Sequence, residues 1–462
     1  MRKQNRVAFF NILSTVLLRS ISVITAPVIS RLLGDSDYGI VSIYTIWVSA
    51  AAIVFPLESQ GTLVNARIEY LEQEQRGYQS SAMTLSMVSF LCFSVLVCLF
   101  IRPISQGLQM HWGVVLLILL HAFGSFCTSY LGNKFTYELK AGRNFILSVG
   151  ITIATFALSV ALILLMPEDI KYFGRILGLA CTYGLIGIGA CVYILLRGRV
   201  YYNRTYWKFC LTLALPMVFY NLSDLLLGQS DRLMLQHMLS DSAVGQYSLA
   251  LNFGGIMFSI FGALNNCWTP FFFDDMKNGK RQEVKQSAHH FLELFTVLSV
   301  GFLLLHREVY HVFASRDFWD GTSLIPIFVT SYFLNFLCTF PVNYEYYRKK
   351  TNVVAAVTIS SSLVNIALNY VLIRSMGMSG AAVATAISHC LQLTLHYVFC
   401  RYRIGKGDYP FGVRMWVGYA GAYLMVLALV FLTPDAWLLR WGLGAALGVW
   451  ELYRIRKRKV LL

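Results

Sequence analysis

The chain is built from apolar blocks of about 20 to 28 residues, each nearly free of charge and separated from the next by a short polar link. Coiled as a helix at about 1.5 Å per residue, a block of that length crosses the roughly 30 Å hydrocarbon core of a bilayer. Inside hydrocarbon every backbone amide must find a partner within the chain, so such a block has to be helical. Fourteen spans are expected, near 7–33, 38–65, 79–101, 112–135, 143–166, 173–196, 209–237, 244–272, 286–306, 322–344, 352–374, 380–400, 412–432 and 436–452. The length of 462 residues would otherwise suggest about three soluble domains, but 57% hydrophobic and only 13% charged residues exclude them. The first block carries Arg19 and is too long for the apolar region of a cleaved signal, so it is read as a retained span. The fold class is therefore an all-α polytopic membrane protein.

The positive charges orient it. With the N-terminus in the cytoplasm, 28 of the 38 Lys and Arg fall in cytoplasmic segments, such as Arg197, Arg199, Arg204 and Lys208. Seven fall outside (Arg102, Lys171, Arg175, Arg307, Arg316, Arg374 and Arg440). The positive-inside rule then places both termini in the cytoplasm. The net charge of +15 follows from insertion topology and not from nucleic-acid binding, and the tail RIRKRK at 454–459 suits anionic headgroups. The ten cysteines contain no C-x-x-C pair and lie mostly within spans, as small packing residues and not as disulfide or metal ligands.

The stretch RLLGDSDYGIVSIY at 31–44 is echoed by HMLSDSAVGQYSLA at 237–250. Leu33/Leu239, Asp35/Asp241, Ser36/Ser242, Gly39/Gly245 and Ser42/Ser248 all stand 206 positions apart, as do Gly174 and Gly380. Tyr137-Glu138 and Tyr344-Glu345 are 207 apart. Such matches at one offset imply an internal duplication. The unit holds six spans, an even number, so the copies point the same way: parallel repeats about an axis along the membrane normal. The expected organisation is an N-lobe over 1–200 with spans 1–6 and a C-lobe over 205–405 with spans 7–12. A C-terminal two-helix extension with a basic cytoplasmic tail fills 410–462. Two six-helix lobes around a central cavity form a transporter architecture, with the substrate site expected between the lobes near midplane. The shared phrase itself reads as a tight outer turn capped by Asp or Ser, a repeat marker and not a site.

Ionisable groups in hydrocarbon are costly and usually face a cavity or a partner. Arg19 lies about twelve residues into span 1, roughly 18 Å deep, near the bilayer middle. Asn11, Thr15, Ser22, Ala26 and Ser30 share its stripe, which suits helix packing as well as a cavity wall. In span 7, Asn221, Asp224, Gly228 and Asp231 fall on one face, with Asp224 at nearly the depth of Arg19. Asp231, Arg232 and Arg31 lie toward the outer ends of their spans, in ion-pair, gating or topology roles. Glu58, after Pro56, sits in the cytoplasmic half of span 2, as a coupling group or a neutralising partner of Arg19. Span 8 offers Asn252, Gly255, Ser259, Gly262 and Asn266 at helical spacing, a packing face or a cavity wall. His121 and His389 are lone membrane histidines, suited to a core role or a proton relay. Expected cavity-binding residues are thus Arg19, Asn11, Thr15, Asn221 and Asn252, and expected coupling or gating residues Asp224, Glu58, Asp231, Arg232 and Arg31. No nucleotide-binding loop, zinc-protease or nucleophile-elbow motif is present, so enzyme chemistry, a resident metal and ATP-driven pumping are not expected.

The phrase ISRLLGDSDYGIVSIY resembles the first junction of the polysaccharide transporter family, the Wzx-like oligosaccharide-lipid flippases of the multidrug/oligosaccharidyl-lipid/polysaccharide exporter superfamily. SDRLMLQHMLSDSAVGQYSLA at 230–250 resembles its second-lobe counterpart, and SSLVNIALNYVLIRSMGMSGAAVATAIS at 361–388 carries Asn365, Asn369, Gly377, Gly380, Ala381, Ala382 and Thr385 as that family places them. The resemblance covers the whole chain. It implies alternating access, moving an undecaprenyl-pyrophosphate-linked oligosaccharide to the outer leaflet of the cytoplasmic membrane. By that likeness Arg19 stands where related flippases bind pyrophosphate, which a guanidinium grips bidentately. The implied partners are the lipid-linked substrate, membrane lipids and polysaccharide-assembly proteins such as a polymerase, around a monomer with no cofactor beyond H+ or Na+ coupling. A cation-coupled multidrug exporter of the same superfamily is the first alternative, and a membrane polysaccharide polymerase or ligase the second.

Overall fold

The computed structural model describes the backbone over 3–405 and 409–458, and the side chains over those ranges apart from 3–20, 22–24, 452, 455, 457 and 458. Among the described residues all regular structure is helical, and twelve helices are long and apolar enough to cross a bilayer. The helices over 3–33 and Trp437–Arg458 bring the long helices to fourteen, in the expected order.

The first two spans form one continuous element, Lys3–Val54, broken only at Gly34 (φ 72°, ψ 176°). That conformation is open to glycine and strained for any residue with a Cβ. In the second copy the same position is Ser240, which solves the turn differently. It is extended, and its hydroxyl accepts from the Ala243 amide at 3.2 Å as the N-cap of span 8, Asp241–Lys277. The cap therefore lies one residue before the Asp–Ser pair on which the sequence match rests. Asp37, absent from the second copy, is not idle: its Oδ2 accepts from the Tyr172 amide at 3.0 Å, tying the outer turn to the start of span 6, Lys171–Gly198.

Packing bears the mark of duplication. A Cβ on Gly174 would stand 2.9 Å from the carbonyl of Leu162 in span 5, and one on Gly380 2.0 Å from the carbonyl oxygen of Leu372 in span 11. Both glycines let backbones touch, which is how helices associate where lipid is as apolar as any side chain. The crossing pairs Leu162 with Leu372, 210 positions apart, while the glycines are 206 apart. Helix ends agree with the larger offset. The C-caps Glu138 and Arg348 correspond, as do the N-caps Lys140 (φ −102°, ψ 49°) and Lys350 (φ −100°, ψ 47°). The four-residue difference lies in the outer link, longer at Met166–Ile170 than at Gly377. Tyr344-Glu345 therefore corresponds to Lys134-Phe135, and its match to Tyr137-Glu138 is a coincidence of residue type.

By compactness the chain divides into Met1–Ser230 and Asp231–Leu462, within span 7, Arg204–Met238. In the first unit the connector is folded back and not slack. Ser80 Oγ donates to the Val200 carbonyl (2.9 Å) and accepts from its amide (3.1 Å), and Trp207 Nε1 donates to the Ser81 carbonyl (3.1 Å). Cys210 and Ala214 of span 7 are buried with Leu63, Tyr78 and Tyr130. That packing carries the division past the connector. Spans 4 and 6 meet backbone to backbone, since a Cβ on Gly187 would stand 2.4 Å from Gly124 Cα.

The second unit has an aromatic core in place of that glycine crossing. Phe295 and Phe336 stack at 4.2 Å between ring centroids, as do Phe333 and Tyr423. The last two spans lean on span 9, Arg281–Phe313. Arg440 pairs with Glu308 at one end of span 14, and Arg454 with Glu293 at the other. Tyr423 of span 13 shares a hydrogen bond with Thr330 (2.9 Å).

Candidate functional site

Span 2 stops at Val54, well before the expected 65. Leu57 (φ 60°) and Glu58 (φ 49°) both take the left-handed conformation, and a 3-10 turn, Ser59–Thr62, precedes a short helix, Leu63–Glu69. Pro56 thus marks a full break and not a kink. The broken segment packs against span 7: a Cβ on Gly61 would lie 2.8 Å from Met217 Sδ. Two expected site residues meet there. The Glu58 carboxylate accepts from Gln60 Nε2 at 3.1 Å, and the Asn221 side chain lies beside it. Its Oε2 is buried with no hydrogen-bond donor among the described residues. Below it Ser59 and Ser86 share a hydrogen bond (2.6 Å), as do Thr62 and Tyr78 (2.6 Å).

The other expected residues fall in several places. Arg19, Asn11 and Thr15 lie outside the described side chains, so the pairing of Arg19 with Glu58 lies outside them too. Ser30, on the same stripe, is fully buried and donates to the Pro27 carbonyl, a packing role. Asp224 is exposed, and a Cβ on Gly228 one turn on would meet nothing within 4 Å among the described residues. Asp231 does not share that open face. It accepts from Tyr247 Oη at 2.5 Å and from the Arg232 amide at 2.8 Å, locking the end of span 7 to span 8. Arg232 is half-buried and Arg31 exposed.

The span 8 face is open along part of its length among the described residues. Gly255 and Gly262 both look onto open space among the described residues, Asn252 and Asn266 are exposed, and Ser259 bonds only its own helix. Among the described residues no helix covers Gly255 or Gly262, and a polar face left open in this way suits water better than lipid. It runs from Asn252 to Asn266, about 21 Å at 1.5 Å per residue. At its C-terminal end it enters a cavity of about 480 Å³ between spans 8 and 10, lined by Asn265, Asn266, Thr269, Phe273, Asn343 and Tyr346 among others.

Two buried polar clusters escaped the sequence reading. In the first unit His121 Nδ1 shares a hydrogen bond with Tyr44 Oη (3.1 Å) and its ring lies 4.7 Å from that of Tyr183. Nearby Arg175, counted above among outer residues, sits one turn inside span 6 and donates to Ser159 Oγ (2.8 Å). In the second, fully buried Glu345 contacts His396 Nδ1 at 2.8 Å, with Cys400 beside it. Tyr344, beside Glu345, is fully buried as well. His396 and Glu345 are 51 positions apart, and only the fold brings them together. His389 Nδ1 is buried with no hydrogen-bond partner among the described residues.

A family model described as "Polysaccharide biosynthesis protein" matches residues 6–276, more than half of the sequence. The chain belongs to this family. A second model, MatE, matches residues 216–371. Among curated relatives, the "Lsg locus putative protein 1" of Haemophilus influenzae is 22% identical over 356 residues, covering 74% of this chain and 84% of that protein. Among solved structures, the lipid II flippase MurJ in an inward closed conformation superposes with a TM-score of 0.73 at 14% identity, covering 98% of this chain and all of that one. An inward-facing multidrug resistance MATE family transporter gives 0.62 at 12% identity, over 84% and 95%. The fold of this polysaccharide-biosynthesis membrane protein is thus that of the MurJ and MATE transporters, and the family expected from the sequence is the one found.

Proposed function

We propose that the protein is a transporter and not an enzyme, a flippase that carries an undecaprenyl-pyrophosphate-linked oligosaccharide from the inner to the outer leaflet for surface polysaccharide assembly. The observation that supports this reading is the polar face of span 8, open at Gly255 and Gly262 among the described residues, in a member of the polysaccharide biosynthesis family. A saccharide headgroup needs a wet, hydrogen-bonding route through the bilayer, whereas its lipid tail is already at home in hydrocarbon. The two copies, 1–200 and 205–405, alternate access to that route, with both termini in the cytoplasm. Arg19 is assigned to the pyrophosphate, through charge-assisted bonds. Glu58 and Asp224 are the groups through which an H+ or Na+ gradient would couple, the membrane potential being the alternative source of work. The working unit is a monomer that hands its cargo to polysaccharide-assembly partners.

Deleting the gene and analysing lipids tests the proposal: undecaprenyl-linked oligosaccharide should accumulate on the cytoplasmic leaflet, and unchanged lipid pools would refute it. A second reading, a cation-coupled drug exporter, is favoured by the MatE match and by exposed Asp224. Drug hypersensitivity of the deletion strain with intact surface glycan selects it. A membrane polymerase or ligase has no supporting observation.

A further inference from the structure

We infer that the cytoplasmic end of the C-lobe carries a neutral saccharide-binding subsite, built on Asn265, Thr269 and Asn343 and flanked by Phe273 and Tyr346. It takes the sugar headgroup of the substrate at the inner leaflet, and this rests on the flippase reading above.

Depth comes first. Span 8 has 37 residues, about 55 Å of helix against about 30 Å of hydrocarbon, so its last turns project on the cytoplasmic side. Asn266 lies about 38 Å from the outer end of that helix. Asn343 is four residues from the end of span 10, Ile325–Tyr347. The cavity therefore opens at headgroup level, where a sugar on a lipid diphosphate waits before transport.

Its chemistry selects sugar over phosphate. The named lining residues are amides, a hydroxyl and aromatic rings, without a charged group. An anion would call for guanidinium or ammonium donors. Sugar hydroxyls, which donate and accept at once, match amides, and the C–H faces of a pyranose match flat aromatic rings. The volume of about 480 Å³ lies within the range of small-ligand sites.

The amides are also pre-set. Asn343 is 5% exposed, and its Nδ2 donates to Asn265 Oδ1 at 3.1 Å and to Thr269 Oγ1 at 3.3 Å. Thr269 Oγ1 in turn donates to the Asn265 carbonyl at 2.8 Å. Both amide hydrogens of Asn343 and the Oδ1 of Asn265 are thereby used inside the protein. Asn343 Oδ1 remains as an acceptor and Asn265 Nδ2 as a donor, a pair that complements neighbouring hydroxyls on one ring. Pro270 adds a third group: lacking an amide hydrogen, it releases the Asn266 carbonyl one turn back from its helical bond.

The test uses the full-length protein in nanodiscs and two probes, undecaprenyl diphosphate and the same lipid carrying an N-acetylhexosamine disaccharide. Binding is read by native mass spectrometry. Two hydrogen bonds and a stacked ring should favour the glycosylated lipid by about tenfold or more. Asn265→Ala and Tyr346→Ala should each lower that ratio toward one while leaving the bare lipid bound as before. Asn343→Ala should do the same, and because it is buried, the two less buried variants carry the test if it fails to fold. Equal loss of both lipids in the variants, an unchanged ratio, or a wild-type ratio near one overturns the subsite. A wild-type protein that binds neither lipid refutes the flippase reading itself, an outcome separate from those three.

Discussion

Glu308→Ala should be among the most damaging single substitutions outside the transport route. Span 14 runs antiparallel to span 9, and its two arginines meet two glutamates near opposite ends. Glu293 and Glu308 are fifteen residues apart, about 22 Å along the helix, and Arg440 and Arg454 fourteen, about 21 Å, so both pairs form in one register. The outer pair is the more buried: Arg440 is 1% exposed, and Trp441 Nε1 also donates to Glu308 (3.3 Å). Two of the Arg440 nitrogens, Nε and Nη1, are buried with no hydrogen-bond partner among the described residues. Glu308 is thus the arginine's one carboxylate partner among the described residues, and removing it leaves an uncompensated buried charge, a loss of about 3–5 kcal/mol. For a unit the size of 231–462, each kcal/mol moves the melting temperature by about 2–4 °C, giving a fall of roughly 6–20 °C. Arg440→Ala should cost less, because Glu308 is 27% exposed and water takes over its solvation. Glu308→Leu combined with Arg440→Leu should recover most of the loss, since two apolar chains replace a pair whose desolvation was costly. Thermal unfolding in detergent, followed by size-exclusion fluorescence, reads all three. If the double variant melts at the sum of the two single losses, or Glu308→Ala within 1 °C of wild type, the staple argument is wrong.

The glycines supply a paired prediction. Gly380→Ala forces a methyl onto the Leu372 carbonyl oxygen and should destabilise by about 1–3 kcal/mol, seen as a lower melting temperature, whereas Gly262→Ala meets open space and should raise it through helix propensity of up to about 1 kcal/mol. Asp37→Ala removes the acceptor of the Tyr172 amide and should speed hydrogen exchange at the start of span 6, while Ala243→Asp, its counterpart change in the second copy, should leave the start of span 12 unaltered. At the cytoplasmic end of span 4, burial pushes the Glu138 carboxyl up but Lys140 and Lys134 outweigh it and hold it below the ordinary glutamate range. A depressed carboxylate contributes stability above its unfolded pKa and loses it as pH falls through the folded one, so Lys140→Met should flatten the acid-side loss of stability below about pH 4.

Span count, order and family were legible because they rest on block length and on short repeated phrases, which hydrocarbon and duplication impress directly on a sequence. The span 8 face was legible as a pattern, since glycine at helical spacing serves packing and cavity equally; what the sequence could not show is the open space beside Gly255 and Gly262 among the described residues. The break after Val54 was half legible. Pro56 announced it, but two left-handed residues that are not glycine carry no sequence signature. The Glu345–His396 contact was illegible, because neither residue is unusual until the other is beside it. The false Tyr-Glu match shows a limit of another kind: a dipeptide at nearly the right offset looks like homology, while helix caps, set by backbone geometry, give the true register of 210.

The second span of each copy, which keeps the 206 offset, shows how the two have parted. On the 206 offset of the outer turn, Val54 corresponds to Ile260, in the middle of the uninterrupted helix Asp241–Lys277. One copy breaks its second helix there, and the other carries the helix on for about 25 Å more. At the break a carboxylate, Glu58, gathers the amides of Asn221 and Gln60 around it. At the corresponding depth in the continuous copy, Asn265 and Asn266 stand in place of Ser59 and Gln60, and neutral amides line an open cavity. A duplicated scaffold has thus been given an ionisable, irregular element in one half and a neutral, regular one in the other. A transporter that moves a charged diphosphate and a neutral glycan in one headgroup has use for both. Exchanging the two characters tests whether the division matters: Glu58→Gln should leave the preference for a glycosylated lipid intact and slow its translocation in reconstituted vesicles, whereas Asn265→Asp should weaken sugar preference without slowing the passage of a bare lipid diphosphate. If both substitutions alter the same step, the halves do not divide the labour, and the asymmetry is an accident of divergence.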